Sequence, residues 1–299
     1  MHRPSYLSAL VVLLLALAGC DAAPEVSVAA PSPVAEATPS PAPSPVYVSL
    51  IESAAVEEDA LSHGGYEAVR LYKKVRLPET PGPTEVSYAV LRRDGRAVAK
   101  FDGVYHGIGN ATDFGLFPFL GGETEQLFVS QTVPRGGRHW VVSLAPSFRV
   151  IYDSAAYGVG RDDFMVLDVD GDGAYELAQE LTAFYGFEDM APAETPLPEI
   201  IFKYDTRAGR YLPANHLFRD YVLGGVEKTL RPGPGDEHAY LSRRVGVVLR
   251  YIFAGQEREA WAFFEREYGR PDKEEMKRKI QAAVSRQPVY KFIYGKRAP

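Results

Sequence analysis

The sequence contains almost no cysteine. Cys20 is its single example in 299 residues, which excludes a disulfide framework and any zinc site built from thiolates. Surplus positive charge is also missing: 33 Lys and Arg stand against 39 Asp and Glu, a net charge of -6. That balance argues against a nucleic-acid-binding protein driven by phosphate neutralisation. Common catalytic signatures are absent too: there is no Gly-x-Ser-x-Gly elbow, no His-Glu-x-x-His pair, no Walker loop and no dinucleotide fingerprint. The six histidines, His2, His63, His106, His139, His216 and His238, are scattered without ligand spacing. Apolar residues make up 46% of the chain, enough for at least one substantial core and incompatible with wholesale disorder.

The position of the cysteine says more than its rarity. Residues 1–19 read as an export signal, with Arg3 in a short n-region, an apolar core from Leu7 to Ala18, and small residues before Cys20. Leu17-Ala18-Gly19-Cys20 resembles the lipobox of bacterial lipoproteins. The resemblance implies a diacylglyceryl group on the Cys20 thiol, cleavage just before it, and a mature chain anchored in a membrane of the cell envelope, facing the periplasm or the exterior. Two or three acyl chains on one residue hold a protein where a single chain cannot. An ordinary secretory signal that happens to contain a cysteine at its cleavage site is the alternative.

Residues 20–46 form the expected lipid anchor and a Pro/Ala/Ser-rich tether. Seven of the 23 prolines lie between Pro24 and Pro45, and a chain so rich in fixed φ angles and missing amide protons favours an extended, solvated state. At about 3.1 Å per residue it could hold a folded part on the order of 80 Å from a bilayer.

The rest of the chain is expected to be α+β: a β-rich domain over 47–218, as a sandwich or a blade-like sheet, then a small helical domain over 219–299. Leu50 to Leu61 reads as a short helix closed by His63-Gly64-Gly65. Val86–Leu91 and Ala97–Phe101 flank Arg93-Asp94-Gly95-Arg96, where Asp-Gly supplies the positive φ of a tight hairpin. Arg135-Gly136-Gly137 and Thr206-Arg207-Ala208-Gly209 mark two further hairpins, and short apolar runs between them complete an antiparallel pattern. Beyond residue 238 the period becomes helical. Leu241, Val245, Val248, Leu249 and Ile252 share one face ahead of Gly255, and Trp261, Phe264 and Tyr268 repeat the spacing. Asp272 and Glu275 suggest a capping box ahead of Met276, Ile280 and Val284. Charge divides similarly: residues 240–299 hold 14 Lys or Arg against 7 Asp or Glu, whereas residues 21–239 hold 18 against 32. Complementary packing of the two parts accounts for such a split.

One segment has strong chemical content: Asp168-Val169-Asp170-Gly171-Asp172-Gly173-Ala174-Tyr175-Glu176. Carboxylates at alternating positions diverge on a strand and converge only if the loop coils, which Gly171 and Gly173 permit. Three Asp and one Glu aimed at a common centre repel unless a cation neutralises them, and a hard divalent ion is the natural occupant. Ca²⁺ accepts irregular oxygen geometry better than Mg²⁺. The expected ligands are the carboxylates of Asp168, Asp170, Asp172 and Glu176 and the carbonyl of Ala174. An EF-hand would need a bidentate Glu at the twelfth loop position, where Gln179 stands. The segment from Phe164 to Leu177 instead resembles the calcium loop of FG-GAP or VCBS-type repeats, which implies two flanking strands, a structural calcium ion and a role in adhesion or ligand binding. A propeller of such repeats needs several copies, and this chain has one. An acidic turn without an ion is the simpler alternative.

The functional expectation is a lipid-anchored cell-envelope binding or structural module stabilised by calcium, whose partners are the membrane through Cys20 and an envelope protein or glycan, with no nucleic acid. The second reading is an envelope hydrolase acting on glycan or peptidoglycan, with Glu123 and Glu125, or Glu188 and Asp189, as formal acid pairs.

Overall fold

A computed structural model describes residues 46–47, 60–77, 81–102, 111–133, 136–160, 164–226 and 237–295. The export signal, Cys20, the tether up to residue 45 and the expected helix as far as residue 59 lie outside these residues.

Among the described residues the β-rich part forms three antiparallel sheets. The first runs β2 (Ala60–His63), β3 (Tyr66–Arg76), β4 (Pro83–Arg93) and β5 (Arg96–Phe101) in sequence order. The second runs β6 (Ala111–Phe117), β7 (Gln126–Val133), β8 (Gly136–Ser143) and β9 (Arg149–Asp153). The third has the order β1 (Val46–Tyr47), β10 (Met165–Leu167), β11 (Glu176–Glu180), β12 (Glu199–Asp205) and β13 (Arg210–Pro213). In each sheet four consecutive strands run up and down, the local topology of a propeller blade, and β1 adds a fifth strand at the edge of the third.

Strand periodicity stacks the sheets. Leu127, Val129, Trp140 and Val142 project from one face of the second sheet into a cluster with Tyr66, Ala68, Ala89, Leu91 and Phe101 of the first. Their alternates, Phe128, Val141 and Tyr152, enter a larger cluster with Val166, Leu177, Ile200 and Phe202 of the third. Successive side chains alternate across a strand, so a middle layer must be apolar on both faces. The opposite face of the third sheet carries Leu167, Ala178 and Ile201, covered by Phe218, Val222 and Ala254.

Among the described residues five α-helices follow: α1 (Arg219–Leu223), α2 (Glu237–Phe253), α3 (Glu257–Glu267), α4 (Lys273–Ser285) and α5 (Pro288–Tyr294). The α+β class, a β-rich part followed by helices, is as expected. The expected stripe of α2 is buried throughout, Gly255 follows it at φ +78°, and Met276, Ile280 and Val284 of α4 are buried in the same large cluster as the third sheet. The helices therefore share their core with strands. No described helix is long and apolar enough to cross a membrane.

Three local expectations need correction. Ala60 and Leu61 belong to strand β2, because Gly64 and Gly65 both take positive φ, +56° and +79°, and two such residues make a hairpin turn where a helix stop needs one. Gly136 and Gly137 lie within β8, paired with Val133 and Thr132, instead of forming the turn. The Gly137 amide donates to Gly160 O at 2.7 Å, a close backbone approach that side chains would obstruct. Asp272 makes no capping bond to the start of α4; its Oδ1 accepts from the Tyr268 hydroxyl at 3.1 Å.

Candidate metal centre

Leu167 and Glu176 are paired across β10 and β11, so the residues between them form the connection of a hairpin. The connection coils instead of crossing directly. Gly171 and Gly173 take φ of +72° and +82°, and amides inside the coil are held by its own carboxylates. Gly173 N donates to Asp168 Oδ2 at 3.2 Å, Ala174 N to Asp172 Oδ1 at 2.9 Å, and Val169 N to Glu176 Oε2 at 2.9 Å.

The coil brings carboxylate oxygens of Asp168, Asp170 and Glu176 within 4.8 Å of one another. The Asp172 carboxylate lies outside that trio, bonded to the Ala174 amide and to a lysine. Glu176 is fully buried, Asp168 half-buried and Asp170 exposed. Asp168 Oδ1 is buried and finds no hydrogen-bond partner among the described residues. Oxygen-only donors, clustered negative charge and one orphaned carboxylate oxygen fit a hard cation of the Ca²⁺ kind.

The residue that sequence reasoning missed is Lys203. Its ammonium donates to Asp170 Oδ2 at 2.8 Å, Asp172 Oδ2 at 2.9 Å and Glu176 Oε1 at 2.8 Å. Strand pairing puts it there: Leu177 lies opposite Phe202, and one residue further along each strand brings Glu176 beside Lys203. Both side chains emerge on the face lined by Ala178 and Ile201, with the Phe218 ring 5.7 Å from the ammonium. Burial pulls the Lys203 pKa down, but hydrogen bonds to Asp170, Glu176 and Asp172 outweigh it and hold the amine well above its ordinary value. Burial pushes Glu176 up despite Lys203, whereas the Lys203 bond and the Ala174 amide hold Asp172 below the usual range. A lone lysine inside Ile200-Ile201-Phe202-Lys203-Tyr204 was the available signal, and it needs the strand register to be read.

A second layer fixes the loop from outside. The β6–β7 connection carries Phe119, whose carbonyl accepts from Tyr175 N at 2.9 Å and from the Tyr211 hydroxyl at 3.2 Å. The same hydroxyl lies 3.0 Å from Tyr175 O. Gln126, buried, holds that connection by accepting from Leu120 N at 3.0 Å and donating to Thr124 O at 2.8 Å. Gly121, at φ +74°, lies so close to the loop that a Cβ there would be 2.3 Å from Gly173 O.

Beside the loop an open groove of about 430 Å³ is lined by Lys203, Tyr204, His216, Leu217, Arg219 and Phe292 among others. Neither formal acid pair lines it. Glu125 stands 3.9 Å from His63 and Glu188 is paired with Lys279 at 2.6 Å. Phe114, Phe119 and Phe184 are buried in the core and Tyr185 is exposed.

Comparison of the chain with protein-family models, with curated proteins and with solved structures finds no match.

Proposed function

We propose that this chain is a lipid-anchored module of the bacterial cell envelope whose β-rich part binds calcium at the Asp168–Glu176 loop and serves binding or structure there. The convergence of Asp168, Asp170 and Glu176 within 4.8 Å, with Asp168 Oδ1 left over, carries the calcium part of this reading. The Leu17-Ala18-Gly19-Cys20 sequence carries the anchor. Asp168, Asp170 and Glu176 would hold the ion, with Asp172 and the Ala174 carbonyl as the further ligands. A bound ion supplies charge neutralisation and ties the β10–β11 connection together. Around it this chain's own residues already fix the loop: the Val169, Gly173 and Ala174 amides orient the carboxylates, and Phe119 and Tyr211 clamp its C-terminal end.

Extracellular modules bind calcium at about 10⁻⁴ to 10⁻³ M. In millimolar calcium the melting temperature should therefore exceed that in chelator by a few degrees, since an ion bound only to the native state stabilises by about 1 kcal/mol when present at several times its Kd. Equal midpoints would end the calcium reading. The anchor is tested separately: Cys20→Ser should move the protein from the membrane to the soluble fraction, and continued membrane association would end that part.

A further inference from the structure

The acidic loop already holds a positive charge, and it comes from another strand of the same sheet. Lys203 projects from the middle of β12, between buried Phe202 and the core-packed Tyr204, so the backbone beneath it is fixed by pairing on both sides. Its ammonium touches three of the four carboxylates. Two of them, Asp170 and Glu176, belong to the trio of oxygens that could hold a metal ion. The exception, Asp168, bonds the Gly173 amide through Oδ2 and leaves Oδ1 buried and unmatched.

We infer that Lys203 is an intramolecular competitor of the divalent cation, which occupies the carboxylates when calcium is scarce and must leave Asp170 and Glu176 when calcium binds. This inference rests on the calcium reading of the loop. A full ammonium and a divalent ion repel each other when they share the same oxygens at contact distance, so the two occupants exclude one another. The exchange keeps the carboxylates neutralised in either state. Without such a stand-in, a buried Glu176 beside Asp170 and Asp172 would be an uncompensated cluster of negative charge whenever calcium fell. The lysine thus lets the loop stay folded without calcium and lowers the affinity for it. It also gives the displaced ammonium somewhere to go, because Lys203 borders the open groove that carries His216 and Arg219.

Calcium titration calorimetry of the full chain and of Lys203→Met, with folding of both checked by circular dichroism, tests this. The inference expects Lys203→Met to bind calcium at least about tenfold more tightly, a difference of about 1.4 kcal/mol. It also expects the variant to melt lower than the wild type in chelator and to recover more when calcium is added. Equal affinities would overturn the competition and leave the calcium reading standing. Binding by Lys203→Met alone would overturn the exchange, and the calcium reading of the natural chain with it, because the ammonium would then be the resident cation that calcium does not displace. Binding by neither would overturn both. If Lys203→Met does not fold, the wild type still decides: the NMR signal of the Lys203 ammonium, protected by its three hydrogen bonds in chelator, should vanish on adding calcium. A signal unchanged at saturating calcium would overturn the inference.

Discussion

Two Asp-Gly connections in this chain end in different places. Asp94-Gly95 joins β4 to β5 by the shortest route, with both residues at positive φ, +51° and +73°, and with open space around the position of a Gly95 Cβ. Its neighbours Arg93 and Arg96 are exposed. The Asp168–Glu176 connection also uses left-handed glycines, yet its last carboxylate is fully buried, a lysine stands against three of its acids, and a second sheet's loop presses on its backbone. The difference shows what turns an acidic turn into a candidate site. Local sequence provides the coil, but the cation at Lys203 and the brace at Phe119, Gly121 and Tyr211 come from elsewhere in the chain.

The largest contrast should come from one methyl group placed on each side. Gly121→Ala forces a Cβ to 2.3 Å from Gly173 O at φ +74°. Gly95→Ala meets nothing within 4 Å at nearly the same φ, +73°. Left-handed backbone costs an alanine about 1–2 kcal/mol at either position, and the backbone clash at 121 should raise the total to about 3 kcal/mol or more. Urea unfolding of the two variants measures the difference. Equal losses would mean that the β6–β7 connection does not brace the acidic loop.

A smaller effect isolates the hydrogen bonds of that brace. Tyr211→Phe keeps the buried ring and deletes the hydroxyl shared by Phe119 O and Tyr175 O. Leaving buried carbonyls short of a donor should cost about 1–2 kcal/mol. Tyr72→Phe, on the sheet that ends in the exposed hairpin and at a side chain 53% exposed, should stay within about 0.5 kcal/mol. If Tyr211→Phe also falls within that range, the hydroxyl contributes nothing to holding the loop.

How far these features were legible from sequence follows the same divide. The Asp94-Gly95 and Thr206–Gly209 hairpins and the apolar stripes of α2 and α4 depend on neighbouring residues, and they form where the pattern puts them. The capping bond expected of Asp272 was lost because the Tyr268 hydroxyl, one turn back, offered its oxygen a donor. Short α1 and α5 have too few residues for periodicity to show, and their positions follow from tertiary packing on Ile201 and Val289's neighbours in the core. At the site, the carboxylates and glycines were visible as a string. Lys203 was not, because it lies 27 residues beyond Glu176 and reaches it only through the β11–β12 register. Gly121 looked like any loop glycine until the second sheet was stacked on the third.

The smallest expected effect reverses the charges of the comparison. Where Lys203 stands among three carboxylates, Asp102, just past the end of β5, stands between two lysines, with Lys73 Nζ at 2.7 Å and Lys100 Nζ at 2.5 Å. Burial pushes the Asp102 pKa up, but the hydrogen bonds from Lys100 and Lys73 outweigh it and hold the carboxyl below its ordinary value of 3.8. A carboxylate whose pKa is depressed in the folded state adds stability above its unfolded pKa and loses it as pH falls through the folded one. Asp102→Asn should therefore cost about 1 kcal/mol near neutral pH, the scale of a partly exposed ion pair. The gap between the urea midpoints of variant and wild type should close as pH falls below 3.8, where the wild-type carboxyl takes up its proton and becomes as neutral as the amide. A gap that stays constant down to that range would assign the loss to shape or hydrogen bonding and remove the charge from the account. A gap that closes would show that a lone carboxylate between lysines is stabilised by ions of this chain alone, the arrangement that the acidic loop approaches with Lys203 and leaves incomplete at Asp168.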